Sequence, residues 1–195
     1  MSCTQLHQRA SAVSALLIIA LGLLAPGAAT SAEPNDTRAK VREQSQQALA
    51  KLYEIKPSAR AVIKDSKGYA TFSRWGLRIG VIGGGLGKGL AVAQPSGRET
   101  YMRFVEGSAG LGLGIKRYHL IFVFQSDAAR ERFISKGWVA GADATAAAKR
   151  NDRGKAIEGA AQVTTDVWVY QITEKGLAAE VSLKGTKYYA DKSLN

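Results

Sequence analysis

Glycine recurs at every second position in parts of this chain, and this pattern constrains its fold more than any other feature. In AGLGLGIK (109–116), glycines alternate with Leu111, Leu113 and Ile115. A period of two places successive residues on opposite faces of a β-strand, so one face carries aliphatic side chains and the other none. A bare face lets another element approach the backbone closely or lets the sheet curl sharply. The pattern therefore predicts strongly curved β-structure.

A second glycine-rich stretch, RIGVIGGGLGKGLAVAQ (78–94), has the composition of a phosphate-binding loop but not its spacing. For the pair Gly87-Lys88, such a loop needs glycine at Ile82 and a hydroxyl residue at Gly89. A helix must also follow, whereas Pro95-Ser96-Gly97 is a turn signal between two strand-like runs. The stretch therefore fits a nucleotide loop poorly. We expect Gly83-Gly84-Gly85 to form a flexible bend between strands.

The segment from Thr37 to about Lys56 is predicted to form a helix. Apolar or small residues recur there every three or four positions, which puts them on one face. Asp36 is the expected N-cap, and Pro57 ends the run. The stripe has no Trp or Phe, so we expect it to dock on the core rather than, as the alternative, on an anionic membrane. It comprises Val41, Ser45, Ala48, Leu52 and Ile55.

From Tyr69 onward the period changes to two, and strand-length runs such as YATFSRW, LRIGVIGG and YHLIFVFQ are separated by turns. Two more helices are expected, one closing at Gly68 and one over Asp127–Lys136, capped by Ser126 or Asp127. RNDRGKAIEGAAQVTT (150–165) is predicted to be a polar loop outside the sheet. The fold class is therefore α+β, mainly β. We expect a curved antiparallel sheet or partial barrel with the N-terminal helices and the inserted helix packed on it.

The N-terminal residues have the layout of a secretory signal peptide. Arg9 precedes an apolar run from about Val13 to Ala25, and small residues then end at Ala32. This apolar run is shorter than a transmembrane helix usually requires, which favours a cleaved signal peptide. The alternative is that the segment stays attached as a membrane anchor. We expect cleavage near Ala32, with residues 33–195 forming a single domain.

Few residues suited to catalysis remain after such cleavage. The only cysteine, Cys3, and one of two histidines, His7, lie in residues 1–32, which leaves His119. Disulfide frameworks, cysteine nucleophiles and metal sites built on His pairs are excluded in the mature chain. His119 lies in a strand-like run and is expected to be structural. We therefore expect no enzyme activity, no cofactor and no metal.

The charge of the chain favours anionic partners. The net charge is +11, and removing residues 1–32 takes away one basic residue and no acid, which leaves +10. This balance suits anionic lipid headgroups or acidic polymers, and export makes nucleic acid an unlikely partner. The alternative is a basic surface that only keeps the protein soluble.

Five blocks, in order from about residue 39 to 190, resemble the SYLF domain family. SKGYATFS resembles its first strand, GVIGGGLGKGLAV its glycine-rich block, and GLGLGIKRYHLIFVF its glycine-alternating strand with the apolar strand that follows. FISKGWVAGADATAA and DVWVYQITEKGLAAEVSLKGTKY resemble its later blocks. Two positions depart from the family: Ser73-Arg74 stands where Pro is frequent, and Glu180 where glycine is common.

The SYLF resemblance implies lipid binding, with phosphoinositides favoured in eukaryotic members that regulate endocytic actin. For an exported protein, other anionic lipids are the natural expectation. We therefore expect a non-enzymatic, lipid-binding protein of the periplasm or cell envelope, with an envelope protein as a further partner. Two alternatives stay open: an outer-membrane β-barrel, and a structural or interaction module of the envelope without lipid affinity.

Two basic groups are predicted to contact the headgroups. One lies on the first helix and the other surrounds the glycine-rich block, where Lys88 is expected to meet a lipid phosphate rather than a nucleotide. The alternative is that all of these side chains are solvated charges. The two groups are Arg38, Lys40, Arg42 and Lys51, and Arg74, Arg78 and Lys88.

Overall fold

A computed structural model of the chain describes residues 34–79, 82–109, 114–139, 157–178, 183 and 185–195. Strand positions 74–79, 82–84, 108–109 and 114–117 are described by their backbone alone. Within these ranges the helices are α1 (Pro34–Ile55), α2 (Ala59–Asp65) and α3 (Asp127–Ser135). The strands are β1 (Gly68–Ile79), β2 (Ile82–Ala93), β3 (Glu99–Ala109), β4 (Gly114–Phe124), β5 (Trp138–Val139), β6 (Ala161–Thr164), β7 (Val167–Thr173), β8 (Gly176–Leu177) and β9 (Thr186–Ala190).

The strands form one antiparallel sheet in the order β5-β9-β3-β2-β1-β4-β7-β6, with β8 paired to β7. Strand β1 lies at the centre, since Phe72 is opposite both Gly89 of β2 and Leu120 of β4. Among the described strands, four pairs that are neighbours along the chain also pair directly, as expected for hairpin connections: β1-β2, β2-β3, β6-β7 and β7-β8. With the sheet curled into a half-barrel, the predicted α+β, mainly β fold is confirmed.

Both faces of the sheet are buried over much of its area. On the inner face, α3 packs on an aromatic cluster that includes Phe72, Phe122, Phe133 and Tyr188. On the outer face, α1 and α2 cover aliphatic and aromatic residues of β2, β3, β4 and β7. This two-sided burial explains why HLIFVF in β4 is apolar at almost every position, since neither face meets water.

The glycines of β2 make room for aromatic rings on the inner face. A Cβ placed on Gly87 would fall on the ring of Phe104, and one on Gly89 would fall on the ring of Phe72. Alternate residues of β2 point to the outer face, as the period of two predicts. Aromatic rings therefore pack closely over the glycines of β2. The glycine row for which close approach was predicted, Gly110, Gly112 and Gly114, lies outside the described residues except for the backbone of Gly114, so that prediction stays a prediction.

Two local expectations were wrong. Gly83-Gly84-Gly85 does not form a bend between strands: Gly83 and Gly84 lie inside β2, opposite Arg78 and Leu77 of β1. Pairing on both sides, with β1 and β3, holds these glycines extended, because a backbone inside a ladder is not free to bend. Residues 150–156 of the predicted polar loop lie outside the described residues, but the described part, 157–165, does not stay wholly outside the sheet. Its residues Ala161–Thr164 form β6, which pairs along the edge of β7.

The helices follow their sequence signals closely. Four members of the predicted α1 stripe are buried, which confirms docking on the core, whereas Ile55 is 39% exposed. Asp36 lies in the first turn of α1 instead of capping it, because the helix begins at Pro34. Ser126 caps α3 as predicted, since its Oγ accepts a hydrogen bond from the backbone N–H of Ala129 at 3.2 Å.

A Gly89→Ala substitution should lower the free energy of unfolding by about 1–3 kcal/mol, because its methyl group overpacks the Phe72 ring and the Thr71 carbonyl. Gly107→Ala is the matched control, since a Cβ there meets nothing within 4 Å. We expect the control to stay within about 0.5 kcal/mol of the parent in urea unfolding. Equal losses in the two variants would contradict the ring-over-glycine packing.

Candidate functional site

Two predicted arginines of α1 anchor the helix to the sheet. The guanidinium groups of Arg38 and Arg42 lie 5.9 and 5.6 Å from the centre of the Tyr101 ring. Arg38 Nε donates to the carbonyl of Leu194 at 2.8 Å, and Arg42 Nε lies 2.7 Å from Glu99 Oε2. The hydrogen bond to Glu99 raises the pKa of Arg42. Both side chains therefore hold α1 in place in addition to carrying charge.

The other two predicted residues of α1 differ in their surroundings. Lys40 is exposed to solvent, and Lys51 is half-buried. The positive charge of Lys51 acts on His119 of β4. The Nδ1 atom of His119 lies 2.9 Å from Ser73 Oγ of β1. Burial first, and then Lys51, lower the pKa of His119. The imidazole is thus a neutral hydrogen-bonding partner within the sheet.

The second predicted group divides into two parts. The side chains of Arg74 and Arg78 lie outside the described residues, although their backbones are placed opposite Tyr118 and Gly83. Lys88 is described, with its Nζ 3.6 Å from Asp191 Oδ2. It lies directly opposite Arg103 of β3, so the two cationic side chains share a face.

Asp191 offsets part of the charge of this cationic pair from within the fold. Its side chain is 2% exposed, and Oδ2 lies 2.9 Å from Arg103 Nε. The backbone N–H and the hydroxyl of Ser193 donate to Oδ1 at 3.0 and 2.6 Å. Burial alone raises the pKa of a carboxyl, but the Ser193 bonds and the charges of Arg103 and Lys88 outweigh it and hold the pKa of Asp191 low.

Sequence reasoning missed Arg103 and Asp191 as members of this arrangement. They come from β3 and from the turn after β9, and they meet Lys88 only through strand pairing. The available signal was weak: Lys88 and Arg103 each stand inside a strand pattern where an apolar residue is usual. The structure places Lys88 beside these residues and Arg38 and Arg42 around Tyr101, one row further along the same sheet face.

Metal-ligand clusters and membrane-spanning helices are two other features that would indicate a function in the described ranges. There, no three His, Cys, Asp or Glu side chains are grouped as metal ligands would be. None of the helices found in that part of the chain combines the length and the apolar character needed to cross a membrane.

One family model and one named protein are similar to this chain. A family model described as "Ysc84: Las17-binding protein actin regulator" matches residues 105–195. A protein named beta cell expansion factor A, from Aeromonas veronii, is 28% identical over 159 residues, which cover 82% of this chain. The match covers 59% of that relative, so the chain spans less than two thirds of its length.

Stability should depend on pH through His119. Because its folded pKa is depressed, the unfolded chain takes up a proton near pH 6.5 while the folded chain resists it. Stability from this group is present above pH 6.5 and is lost as the pH falls below it. His119→Gln should reduce the drop in Tm between pH 7.5 and 5.5, and Lys51→Gln should reduce it less. An unchanged pH dependence in both variants contradicts this assignment.

Replacing the buried carboxylate should destabilise the fold. Asp191→Asn keeps an acceptor for Ser193 but removes the charge facing Arg103 and Lys88, so we expect a loss of about 1.5–3 kcal/mol in free energy of unfolding. The control Asp65→Asn changes net charge equally at an exposed position and should stay within about 0.5 kcal/mol. Denaturant unfolding of both variants measures the difference, and similar losses argue against a structural ion pair at Asp191.

Proposed function

We propose that the chain is a non-enzymatic lipid-binding protein that contacts anionic headgroups at a membrane surface. The matching family model, Ysc84, is that of the SYLF domain, and the relative from Aeromonas veronii is also a SYLF-domain protein, so the SYLF resemblance is confirmed. SYLF domains are a non-catalytic family associated with lipid and actin-related binding. The observation that carries the proposal is the pair of Lys88 and Arg103, which lie side by side on the outer sheet face next to α1. Acidic phosphates are the natural counter-charges for such a face.

The predicted residues take different roles in this proposal. Lys40 and Lys88, joined by Arg103 and Lys187, contact the headgroups directly. Arg42 is paired with Glu99 at 2.7 Å, so its charge is largely offset and its main role is to hold the helix. Arg38 and Lys51 act mainly within the fold, through Leu194 and His119 respectively. The sequence prediction groups Arg74 and Arg78 with Lys88, but their positions in β1 are in step with Phe72, which is on the inner face, so they are not part of this surface.

The proposal also includes a place in the cell. The apolar segment between Val13 and Ala25 supports export by a signal peptide cleaved near Ala32, which leaves residues 33–195 in the periplasm or at the cell envelope. In that compartment the anionic lipids of the envelope are the accessible ligands. A net charge of +10 on the processed chain favours such surfaces over neutral ones.

Vesicle flotation tests the proposal directly. We expect the protein to float with phosphatidylcholine vesicles that contain phosphatidylglycerol or a phosphoinositide, and not with phosphatidylcholine alone. Binding should weaken as salt is raised, because the attraction is electrostatic. Equal flotation with neutral and anionic vesicles, or none with either, contradicts the proposed function.

A paired charge reversal locates the contact. Lys40→Glu with Lys187→Glu should weaken binding to anionic vesicles by about 2 kcal/mol or more, roughly 30-fold, since each basic residue near the surface contributes about 1 kcal/mol. The control Arg132→Glu with Lys136→Glu changes net charge equally, on exposed residues at and just after α3, which packs on the inner face. A loss of the same size in the control shows that net charge, not this face, governs binding.

A further inference from the structure

One row of residues crosses four strands on the outer face of the sheet. Leu86 of β2 lies opposite Val105 of β3, Val105 opposite Lys187 of β9, and Lys187 opposite Val139 of β5. Residues directly opposite each other in antiparallel strands share a face, so all four side chains point the same way. With strands about 4.8 Å apart, the row is roughly 14 Å long. We call it the outer row.

The apolar members of the outer row are exposed, although large apolar residues in a sheet are usually covered. Leu86 is 75% exposed, Val105 38% and Val139 43%. On the same face, the next row contains Lys88 and Arg103, and the row after it contains Leu90 and Tyr101. These two rows show where α1 stops covering the sheet. Leu90 and Tyr101 are buried with Val41 of α1, so the helix covers their row and stops short of the outer row.

Among the described residues, the far side of the outer row is bordered by glycine. Two residues beyond Val105 lies Gly107, where an added Cβ would meet no atom within 4 Å. The backbone N–H of Gly107 donates to the carbonyl of Gly185 at 3.0 Å. The positions beyond Val105 in β3 and beyond Lys187 at the start of β9 are therefore both glycines, which have no side chain. Leu86 and Val105 therefore project as a ridge between a bare glycine margin and the basic pair.

The charges beside the outer row are cationic. Lys187 lies within it, and Lys88 and Arg103 lie two residues along β2 and β3, which is about 7 Å away. The acid that faces this pair, Asp191, is 2% exposed and is already engaged by Arg103 and Ser193. The outward electrostatic character of the surface is therefore positive, which complements an anionic partner.

We propose that the outer row is a wedge that enters the headgroup–acyl boundary of an anionic membrane while Lys88, Arg103 and Lys187 bind lipid phosphates. This inference rests on the proposed lipid binding and names the surface that performs it. Shallow burial of a few apolar side chains ringed by basic residues is the mode of interfacial binding. A second copy of the chain fits less well, because three side chains are far below the area of a stable dimer interface, about 800 Å² per partner.

The test replaces the apolar atoms and keeps the charges. In the wedge variant, Leu86, Val105 and Val139 are each changed to Thr, which is β-branched and suits a strand. We expect binding to phosphatidylglycerol-containing vesicles to weaken at least tenfold with an unchanged melting temperature. Ile55→Thr is the matched control, since Ile55 is 39% exposed at the end of α1, and its binding should stay within twofold.

A single fluorescent label tests insertion at the predicted depth. Cys3 is the only cysteine, so Cys3→Ser combined with Leu86→Cys carries one thiol for an environment-sensitive nitrobenzoxadiazole dye. With anionic vesicles we expect a blue shift and stronger emission, quenched by acyl chains bearing a spin label. The same dye at Ile55→Cys should show neither change. Equal responses at the two positions overturn the insertion of the outer row.

The outcomes separate this inference from the proposed function. If the parent protein binds no vesicles, both proposals fail. If it binds anionic vesicles and the wedge variant binds equally well, lipid binding stands and the wedge is wrong. If the wedge variant keeps its vesicle affinity but sediments as a smaller species than the parent, the outer row contacts a second copy of the chain, which also overturns the membrane assignment.

Discussion

The packing of aromatic rings over glycine on the inner face of β2 is the constraint on which the rest of the structure depends. The rings of Phe104 and Phe72 occupy the space that side chains at Gly87 and Gly89 would fill. Because the rings come from the two neighbouring strands, β3 and β1, the three strands are drawn together around one aromatic cluster. Tyr188 and Phe133 then close the cluster, which brings β9 and α3 onto the same inner face.

The extent of α1 determines which residues of the outer sheet face are buried and which are exposed. Its buried stripe covers the row of Leu90 and Tyr101, and Arg38 and Arg42 fix the helix there through Tyr101, Leu194 and Glu99. Beyond this limit no apolar cover is described for Leu86 and Val105, and the buried Asp191 lies at the boundary. The same carboxylate thus stabilises the end of the covered region and holds two cations at the edge of the exposed one.

The sequence predicts what depends on local pattern and misses what depends on pairing. Four of the five residues of the α1 stripe, the Ser126 cap and the two-residue period of β2 are local and are found as expected, although the local prediction of Asp36 as the cap of α1 was wrong. The bend expected at Gly83–Gly85 fails because ladder bonds to two neighbouring strands override the flexibility of glycine. The meeting of Lys88, Arg103 and Asp191 also depends on strand register, which no spacing within one segment encodes.

Alternate residues of β2 face opposite sides of the sheet, so the inward residues meet the packing of the core and the outward residues form the outer sheet face. The glycines of β2 face inward, where the aromatic rings leave no room for a Cβ, so these positions are restricted by packing. The residues between them face outward and read Leu86, Lys88 and Leu90, of which only the last is covered by α1. The inward set is therefore restricted in size by the aromatic core, while the outward set can vary in polarity without disturbing that core. An exposed leucine next to a lysine at such positions adds nothing to the inner cluster, and this is why the wedge can be tested without unfolding the sheet.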